Sequence, residues 1–228
     1  MKFNAFIFAR GGSKGLPKKN ILKLGGVPLV AHSINQAKNI ENIRKIFVST
    51  DNKEISEIAQ AYGANVIDRP SYLAKDDSPE WLSWQHAIKH VFENYEKFEG
   101  FISLPPTAPL RSTEDILKCL DKLNDNADLI VSVTESKRHP AFNMVKVSNN
   151  GLLTLVEEQK NKFIRRQDVP KIYDLTTVAY ASTANHILNS NSIWAGRVKA
   201  VEIPFERAID IDNEIDFKFA KFLKENQL

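Results

Sequence analysis

Apolar and amphipathic blocks alternate along most of the chain. The apolar blocks are short and rich in β-branched and aromatic residues, which is typical of buried strands. In the blocks between them, apolar side chains recur three and four positions apart, which predicts helices with one buried face. This order predicts an α/β fold with a mainly parallel sheet and right-handed crossovers. The predicted strands are 3–9, 45–50, 65–67, 100–104, 127–133 and 198–203, and the predicted helices are 28–39, 52–62, 80–95, 112–124 and 213–224.

The alternation breaks in the second half of the chain. Two short apolar runs, 144–147 and 153–156, flank Ser-Asn-Asn-Gly, a turn sequence that predicts a β-hairpin. A cationic and irregular stretch, 160–173, follows it. We therefore expect a single domain over residues 1–228 that carries an excursion over residues 135–173.

Composition narrows the class of protein. A chain of 228 residues with 43% hydrophobic side chains can bury one large core. The net charge of +3 is mild, and the cations gather in loops at 10–23 and 160–171, which favours anionic small molecules over nucleic acid. No apolar run reaches the ~20 residues of a membrane span, and the single cysteine cannot form an internal disulfide. We expect a cytoplasmic protein with no membrane partner and no nucleic-acid partner.

A cysteine and a pair of histidines could in principle be a nucleophile and a metal site, but we do not favour either interpretation. Cys119 lies on a predicted helix, where a small core residue is the ordinary interpretation. His86 and His90 have the spacing of a metal-binding pair, but the glutamate of a His-Glu-x-x-His motif is absent. We interpret both histidines as surface or packing residues.

The loop after the first strand is the most distinctive stretch of the sequence. Glycines let a main chain curl close to phosphate groups, and cations neutralise them, so this composition predicts a triphosphate-binding loop. The Gly-Lys-Ser/Thr ending of a Walker loop is absent, and so is the Gly-x-Gly-x-x-Gly of dinucleotide-binding folds. The loop contains three glycines, one serine and four cations, which are Gly11, Gly12, Gly15, Ser13, Arg10, Lys14, Lys18 and Lys19.

Residues 9–20 read Ala-Arg-Gly-Gly-Ser-Lys-Gly-Leu-Pro-Lys-Lys-Asn and resemble the signature of the acylneuraminate cytidylyltransferases, Ala-Arg-x-x-Ser-Lys-Gly-Leu-Pro-x-Lys-Asn. The resemblance implies a Rossmann-like, three-layer nucleotidyltransferase fold. It also implies transfer of CMP from CTP to the anomeric hydroxyl of a nine-carbon 2-keto sugar acid, with release of pyrophosphate and with Mg²⁺ as cofactor. The excursion would then be the arm that forms a homodimer. Further stretches resembling this family occur at 69–78, 107–111, 165–170 and 208–216.

The same resemblance implies roles for individual residues. The catalytic residues would be Arg10, Lys14, Lys19 and Asp212. Those that bind CTP would be Arg10, Ser13, Lys14, Lys19, Asn20 and Ser78. The sugar acid would face Arg69, Thr107, Arg111 and, from the partner subunit, Arg166. The metal ligands would be Asp210 and Asp212, which in an extended segment point to the same side, ~7 Å apart. The general base stays open between Asp212 and a metal-bound water.

The sequence leaves the sugar and two alternative functions open. Pro105 stands where the family has a glutamine that contacts N-acetylneuraminate, and proline has no side-chain donor or acceptor. The sugar can therefore be neuraminate, legionaminate or pseudaminate. The alternatives are a 3-deoxy-octulosonate cytidylyltransferase and a non-catalytic nucleotide- or RNA-binding module. Paired carboxylates beside a phosphate-binding loop argue against the latter, because they repel nucleic acid unless a metal intervenes.

Overall fold

The structure, a computed structural model, describes residues 1–123, 126–158, 165 and 168–226. Its strands are β1 (Phe3–Phe8), β2 (Lys23–Leu24), β3 (Val27–Pro28), β4 (Ile43–Thr50), β5 (Asn65–Asp68), β6 (Gly100–Ser103), β7 (Leu129–Glu135), β8 (Val145–Val147), β9 (Leu153–Leu155), β10 (Tyr173–Thr183) and β11 (Val198–Glu202). Its α-helices are α1 (Leu29–Lys38), α2 (Lys53–Ala61), α3 (Glu80–Asn94), α4 (Thr113–Leu123), α5 (Ala184–Asn189) and α6 (Glu214–Glu225).

Seven strands form one sheet in the order β11-β7-β10-β6-β1-β4-β5. β1 is central and pairs in parallel with β4 and β6, and the pairs β4–β5 and β7–β11 are also parallel. The predicted mainly parallel α/β sheet is therefore confirmed. All the predicted strands and helices are present, with bounds that differ by a few residues.

Alternation along β1 shows how the layers are built. Ala5 and Ile7 face a core cluster that contains side chains of α1, α2 and α4, whereas Phe6 faces the cluster of α3 and α5. Because both faces of the strand are covered, its side chains are apolar on both sides except for Asn4. The result is a sheet between two helical layers, as the sequence predicted.

The strand β10 was not predicted. It runs antiparallel between β6 and β7, and its register shifts between Thr176 and Tyr180. The shift breaks the two-residue period, so that Val178, Ala179 and Tyr180 are all buried in succession. The helix α5 that follows has six residues, too few to show a helical period.

The predicted hairpin is confirmed. β8 and β9 form a separate two-stranded antiparallel sheet. Val147 and Leu153 are paired across it and are 68% and 63% exposed. Within the described residues, no helix is both long and apolar enough to cross a membrane.

Candidate functional site

The site lies where the parallel strands end. The loops that follow β1, β5 and β6 meet the segment before α6 and enclose a cavity of about 540 Å³. Ligands of open α/β sheets occupy this position, outside the carboxyl ends of the strands. The predicted site residues that line the cavity are Arg10, Ser13, Lys14, Lys19, Asn20, Arg69, Ser78, Thr107, Asp210 and Asp212.

Backbone contacts hold the loop after β1 in place. The Gly11 N–H donates to Asp51 Oδ1 at 2.8 Å, and the buried Asn20 amide donates from Nδ2 to the Arg10 carbonyl at 2.9 Å. Gly15 lies so close to Asp212 that a Cβ at this position would overlap the Asp212 carbonyl oxygen. The glycine therefore allows the loop to pass directly against the segment before α6.

All four cations of this loop are paired with carboxylates, and three of them, Arg10, Lys14 and Lys19, line the cavity. Arg10 Nη2 lies 2.7 Å from one oxygen of Asp76, and Lys14 Nζ contacts the other oxygen. Lys19 Nζ lies 2.9 Å from Asp212 Oδ1, and only 12% of its side chain is exposed. Hydrogen bonds from Lys14 and Arg10, together with their charges, lower the pKa of the Asp76 carboxyl. The loop thus gathers positive charge at one side of the cavity.

The two carboxylates predicted to bind metal flank a buried isoleucine. The Ile211 N–H donates to the Thr107 carbonyl at 2.8 Å, which ties this segment to the loop after β6. Asp212 is exposed, whereas Asp210 Oδ1 is buried and has no hydrogen-bond partner among the described residues. Asn213 caps α6, with Asp216 completing a capping box.

This donor set fits a magnesium ion that is shared with a polyphosphate. Mg²⁺ is usually held by one or two carboxylates, with phosphates and waters as the other ligands. Asp210 and Asp212 supply two carboxylates, and the unpartnered Oδ1 of Asp210 is a free acceptor. Across the described residues, no group of three or more His, Cys, Asp or Glu could hold a metal without substrate.

Arg69 is a buried cation at the cavity wall. Its Nη2 donates to the Ser49 carbonyl at 2.8 Å, its Nε to the Ser49 hydroxyl at 3.2 Å, and its guanidinium lies 5.5 Å from the centre of the Phe8 ring. Burial lowers the pKa of Arg69 to about 10, so it remains charged at neutral pH. The cavity therefore holds a fixed positive charge outside the loop after β1.

Arg111 does not line the cavity, contrary to the expectation that it faces the sugar acid. It is buried, and its Nη1 donates to Ser33 Oγ at 2.9 Å and to Gln36 Oε1 at 3.1 Å, both on α1. Its Nη2 donates to the Pro105 carbonyl. Arg111 thus ties the loop after β6 to α1, at a position outside the cavity lining. The other predicted sugar contact that is not in the cavity lining, Arg166, lies outside the described residues.

The cavity also contains polar residues that are not among the predicted site residues. Glu80, the exposed first residue of α3, lines it. Thr177 on β10 lines it too, with its hydroxyl 3.3 Å from that of Thr107. Glu80 was read only as a helix start, because nothing in the helical pattern shows which way an end residue faces. Thr177 lies on the strand that was not predicted.

Cys119, His86 and His90, which were considered as a nucleophile and as a metal-binding pair, all lie outside the cavity lining. Cys119 is fully buried in the core beside α4 neighbours, and burial raises the pKa of its thiol to about 12, so it is not a nucleophile. The rings of His86 and His90 lie 6.5 Å apart on α3, outside the cavity lining. The burial of Cys119 agrees with the sequence interpretation.

Comparisons with known proteins place these features in a family. The family model described as "Cytidylyltransferase" matches residues 5–228. The chain is 37% identical to a CMP-N,N'-diacetyllegionaminic acid synthase of Campylobacter jejuni, over 95% of this chain and 92% of the relative. It is 36% identical to a Campylobacter coli protein named "Post-translational flagellin modification protein B", over 97% of this chain and 95% of that protein.

A comparison of structures supports the fold. A solved CMP:2-keto-3-deoxy-manno-octonic acid synthetase in complex with CTP matches the structure with a TM-score of 0.73 over all of both chains. The sequence identity of that pair is 17%, so the likeness shows the fold alone. It confirms the predicted nucleotidyltransferase fold.

Proposed function

Because the chain belongs to the cytidylyltransferase family, we propose that it transfers CMP from CTP to the anomeric hydroxyl of a nonulosonic acid. The hydroxyl gives up its proton to Asp212 or to a water, its oxygen attacks the α-phosphorus, the bond from that phosphorus to the bridging oxygen breaks, and pyrophosphate leaves. The observation that carries the proposal is the convergence of Arg10, Lys14 and Lys19 with two aspartates in one cavity.

The loop after β1 is suited to the triphosphate. The three of its cations that line the cavity come from one short stretch, and they can neutralise charge that moves onto the leaving pyrophosphate in the transition state. Lys19 is held by Asp212 and is largely shielded from water, so water screens its charge less than that of an exposed lysine. We assign Ser13 to the same phosphates, and Asn20 and Ser78 to the nucleoside.

Asp210 and Asp212 would hold the magnesium ion. When bound, Mg²⁺ would supply Lewis-acid stabilisation of the phosphate oxygens and lower the pKa of a hydroxyl that binds it. The Thr107 carbonyl positions these aspartates through Ile211, so the sugar side and the metal side of the cavity are linked.

The sugar acid would occupy the wall formed by the loop after β6. Pro105, Thr107 and Thr177 line this part of the cavity, and Arg69 supplies the cation for a carboxylate. The Pro105 wall is apolar, and the relative at 37% identity is named for a legionaminic acid. We therefore propose a legionaminate-type sugar in preference to N-acetylneuraminate.

The exposed hairpin supports a homodimer. β8 and β9 present Val145, Val147, Leu152 and Leu153 to solvent, and an isolated two-stranded sheet is at best marginally stable in water. We propose that a second copy of the chain covers this surface. The excursion over 135–173 would then bring Arg166 to the partner's sugar site.

Pyrophosphate release from CTP tests the proposed function. The sugar panel contains N,N'-diacetyllegionaminic acid, pseudaminic acid, N-acetylneuraminic acid and 3-deoxy-octulosonic acid, each with Mg²⁺. Release with one of the nine-carbon acids is expected, and it should fall at least about 100-fold in Asp210→Asn. Release with the octulosonate alone, or with none of the four, would reject the proposal.

A further inference from the structure

The carboxylate of Asp76 lies where a phosphate group is expected to bind. One of its oxygens is 2.7 Å from Arg10 Nη2, and the other contacts Lys14 Nζ. These are two of the three cavity-lining cations of the loop after β1. Asp76 belongs to a different loop, between β5 and α3, so the contact joins segments that are far apart in sequence.

A carboxylate and a phosphate can bind to the same hydrogen-bond donors of these cations. Both present oxygens that accept charge-assisted hydrogen bonds from a guanidinium and an ammonium group. The pKa of Asp76 is lowered by these bonds, so the residue is anionic at neutral pH. A phosphate that takes the donors facing Asp76 has to displace the Asp76 carboxylate from them.

The contact is suited to exchange and not to permanent anchoring. The Lys14 side chain is 81% exposed and that of Asp76 is 41% exposed, so water competes for both groups. Exposed ion pairs of this kind contribute little to folding stability. By contrast, Lys19 is largely buried against Asp212.

We propose that Asp76 is an internal anion that occupies the phosphate subsite of Arg10 and Lys14 and must be displaced when the nucleotide binds. This inference rests on the proposed function, because it takes the loop after β1 to be the triphosphate site. Displacement also moves the turn that leads to Ser78, whose N–H donates to the Lys75 carbonyl at 3.3 Å. Phosphate entry is thereby coupled to the position of a residue on the nucleoside side of the cavity.

The test compares Asp76→Asn with Asp77→Asn. Both variants remove one negative charge at adjacent exposed positions, but Asp77 takes part in none of the ion pairs among the described residues. CTP and, separately, inorganic pyrophosphate are titrated into each full-length protein by calorimetry, without sugar acid. Competition predicts that Asp76→Asn binds both ligands about threefold to tenfold more tightly than Asp77→Asn does, since two exposed ion pairs no longer oppose binding.

Whether Asp76→Asn binds pyrophosphate more tightly or more weakly decides whether Asp76 competes with the phosphate or helps to orient the cations for it. If Asp76 instead orients Arg10 and Lys14 for the phosphate, Asp76→Asn will bind pyrophosphate more weakly, and the inference is overturned. Equal affinities in the two variants overturn it as well. Thermal unfolding of both variants shows whether the fold is retained.

A double variant separates this inference from the proposed function. Lys14→Gln alone should weaken CTP binding, and the gain from Asp76→Asn should shrink in the Lys14→Gln background, because the competition acts in part through that lysine. Unchanged CTP affinity in Lys14→Gln would reject the phosphate site itself. Weaker binding in Lys14→Gln, with no gain in Asp76→Asn, would reject only the competition.

Discussion

Replacement of Gly15 by alanine should separate the two halves of the site. The new Cβ would overlap the carbonyl oxygen of Asp212, whereas ordinary Cβ contacts lie at 3.4–4 Å. The overlap would be between the new Cβ, fixed to the Gly15 backbone, and the backbone carbonyl of Asp212, so no side-chain rotation can remove it. The loop would have to move by about 1 Å to restore an ordinary contact distance. A misplacement of that size costs about 100-fold in rate, which corresponds to about 2.7 kcal/mol of barrier. The movement would pull Lys19 and its neighbours away from Asp212.

Gly12→Ala is the matched control, because a Cβ at that position meets nothing within 4 Å. Both glycines lie in the same loop, and neither needs a positive φ angle, so the two variants differ mainly in that one contact. The assay is kcat/KM for pyrophosphate release from CTP and the preferred sugar acid. Gly15→Ala should lose about 100-fold and Gly12→Ala less than threefold. Equal activity in the two variants would show that close approach of the loop to Asp212 is not required.

Four further predictions concern the metal, the loop after β6, the sugar and the dimer. Asp212→Asn should lose about 100-fold in kcat/KM, and EDTA should abolish wild-type turnover; full activity in either case would remove the metal role. Arg111→Met should lower the free energy of unfolding by about 2 kcal/mol or more, because it removes buried hydrogen bonds to a charged group; unchanged denaturant midpoints would contradict this. N,N'-diacetyllegionaminic acid should give a several-fold higher kcat/KM than N-acetylneuraminic acid, and Pro105→Gln should narrow that ratio about fivefold; equal use of both sugars by the wild type would refute the reading of this wall. Val147→Asp should give a monomer by light scattering, whereas Lys146→Asp, on the other face of β8, should not; a monomeric wild type would end the dimer proposal.

Most of the sheet could be predicted because its strands are short, apolar and separated by helices with a clear period. β1 and α1 carry such patterns: β1 ends one residue before the predicted end, and α1 is one residue shorter than predicted at each end. β10 could not be found in this way. Its register shift removes the alternation, and its antiparallel direction departs from the strand–helix rhythm. A pattern that depends on period cannot show a strand whose period is interrupted.

The site could be predicted where the sequence itself carries charge and glycine, and not where the backbone decides the direction of a side chain. Arg10, Lys14 and Lys19 follow directly from the loop after β1, and the cavity brings them together. The sequence resemblance pointed to Arg111 but not to its direction, which is set by polar partners on α1 and the Pro105 carbonyl. The pairing of Asp76 with two loop cations likewise depends on how two distant loops fold together.

The reversed direction of β10 has a consequence for how this architecture can diversify. Tyr173, at the start of β10, pairs with Glu135, at the end of β7, so the excursion leaves and re-enters the sheet at neighbouring positions. Paired residues on antiparallel strands lie only ~5 Å apart, so a tight turn could join them and no sheet strand would have to change place. The segment between them is therefore an insertion that can be lengthened, shortened or exchanged between related enzymes. Grafting it would transfer the proposed subunit interface while the loop after β1 and the two aspartates stay on the unchanged sheet.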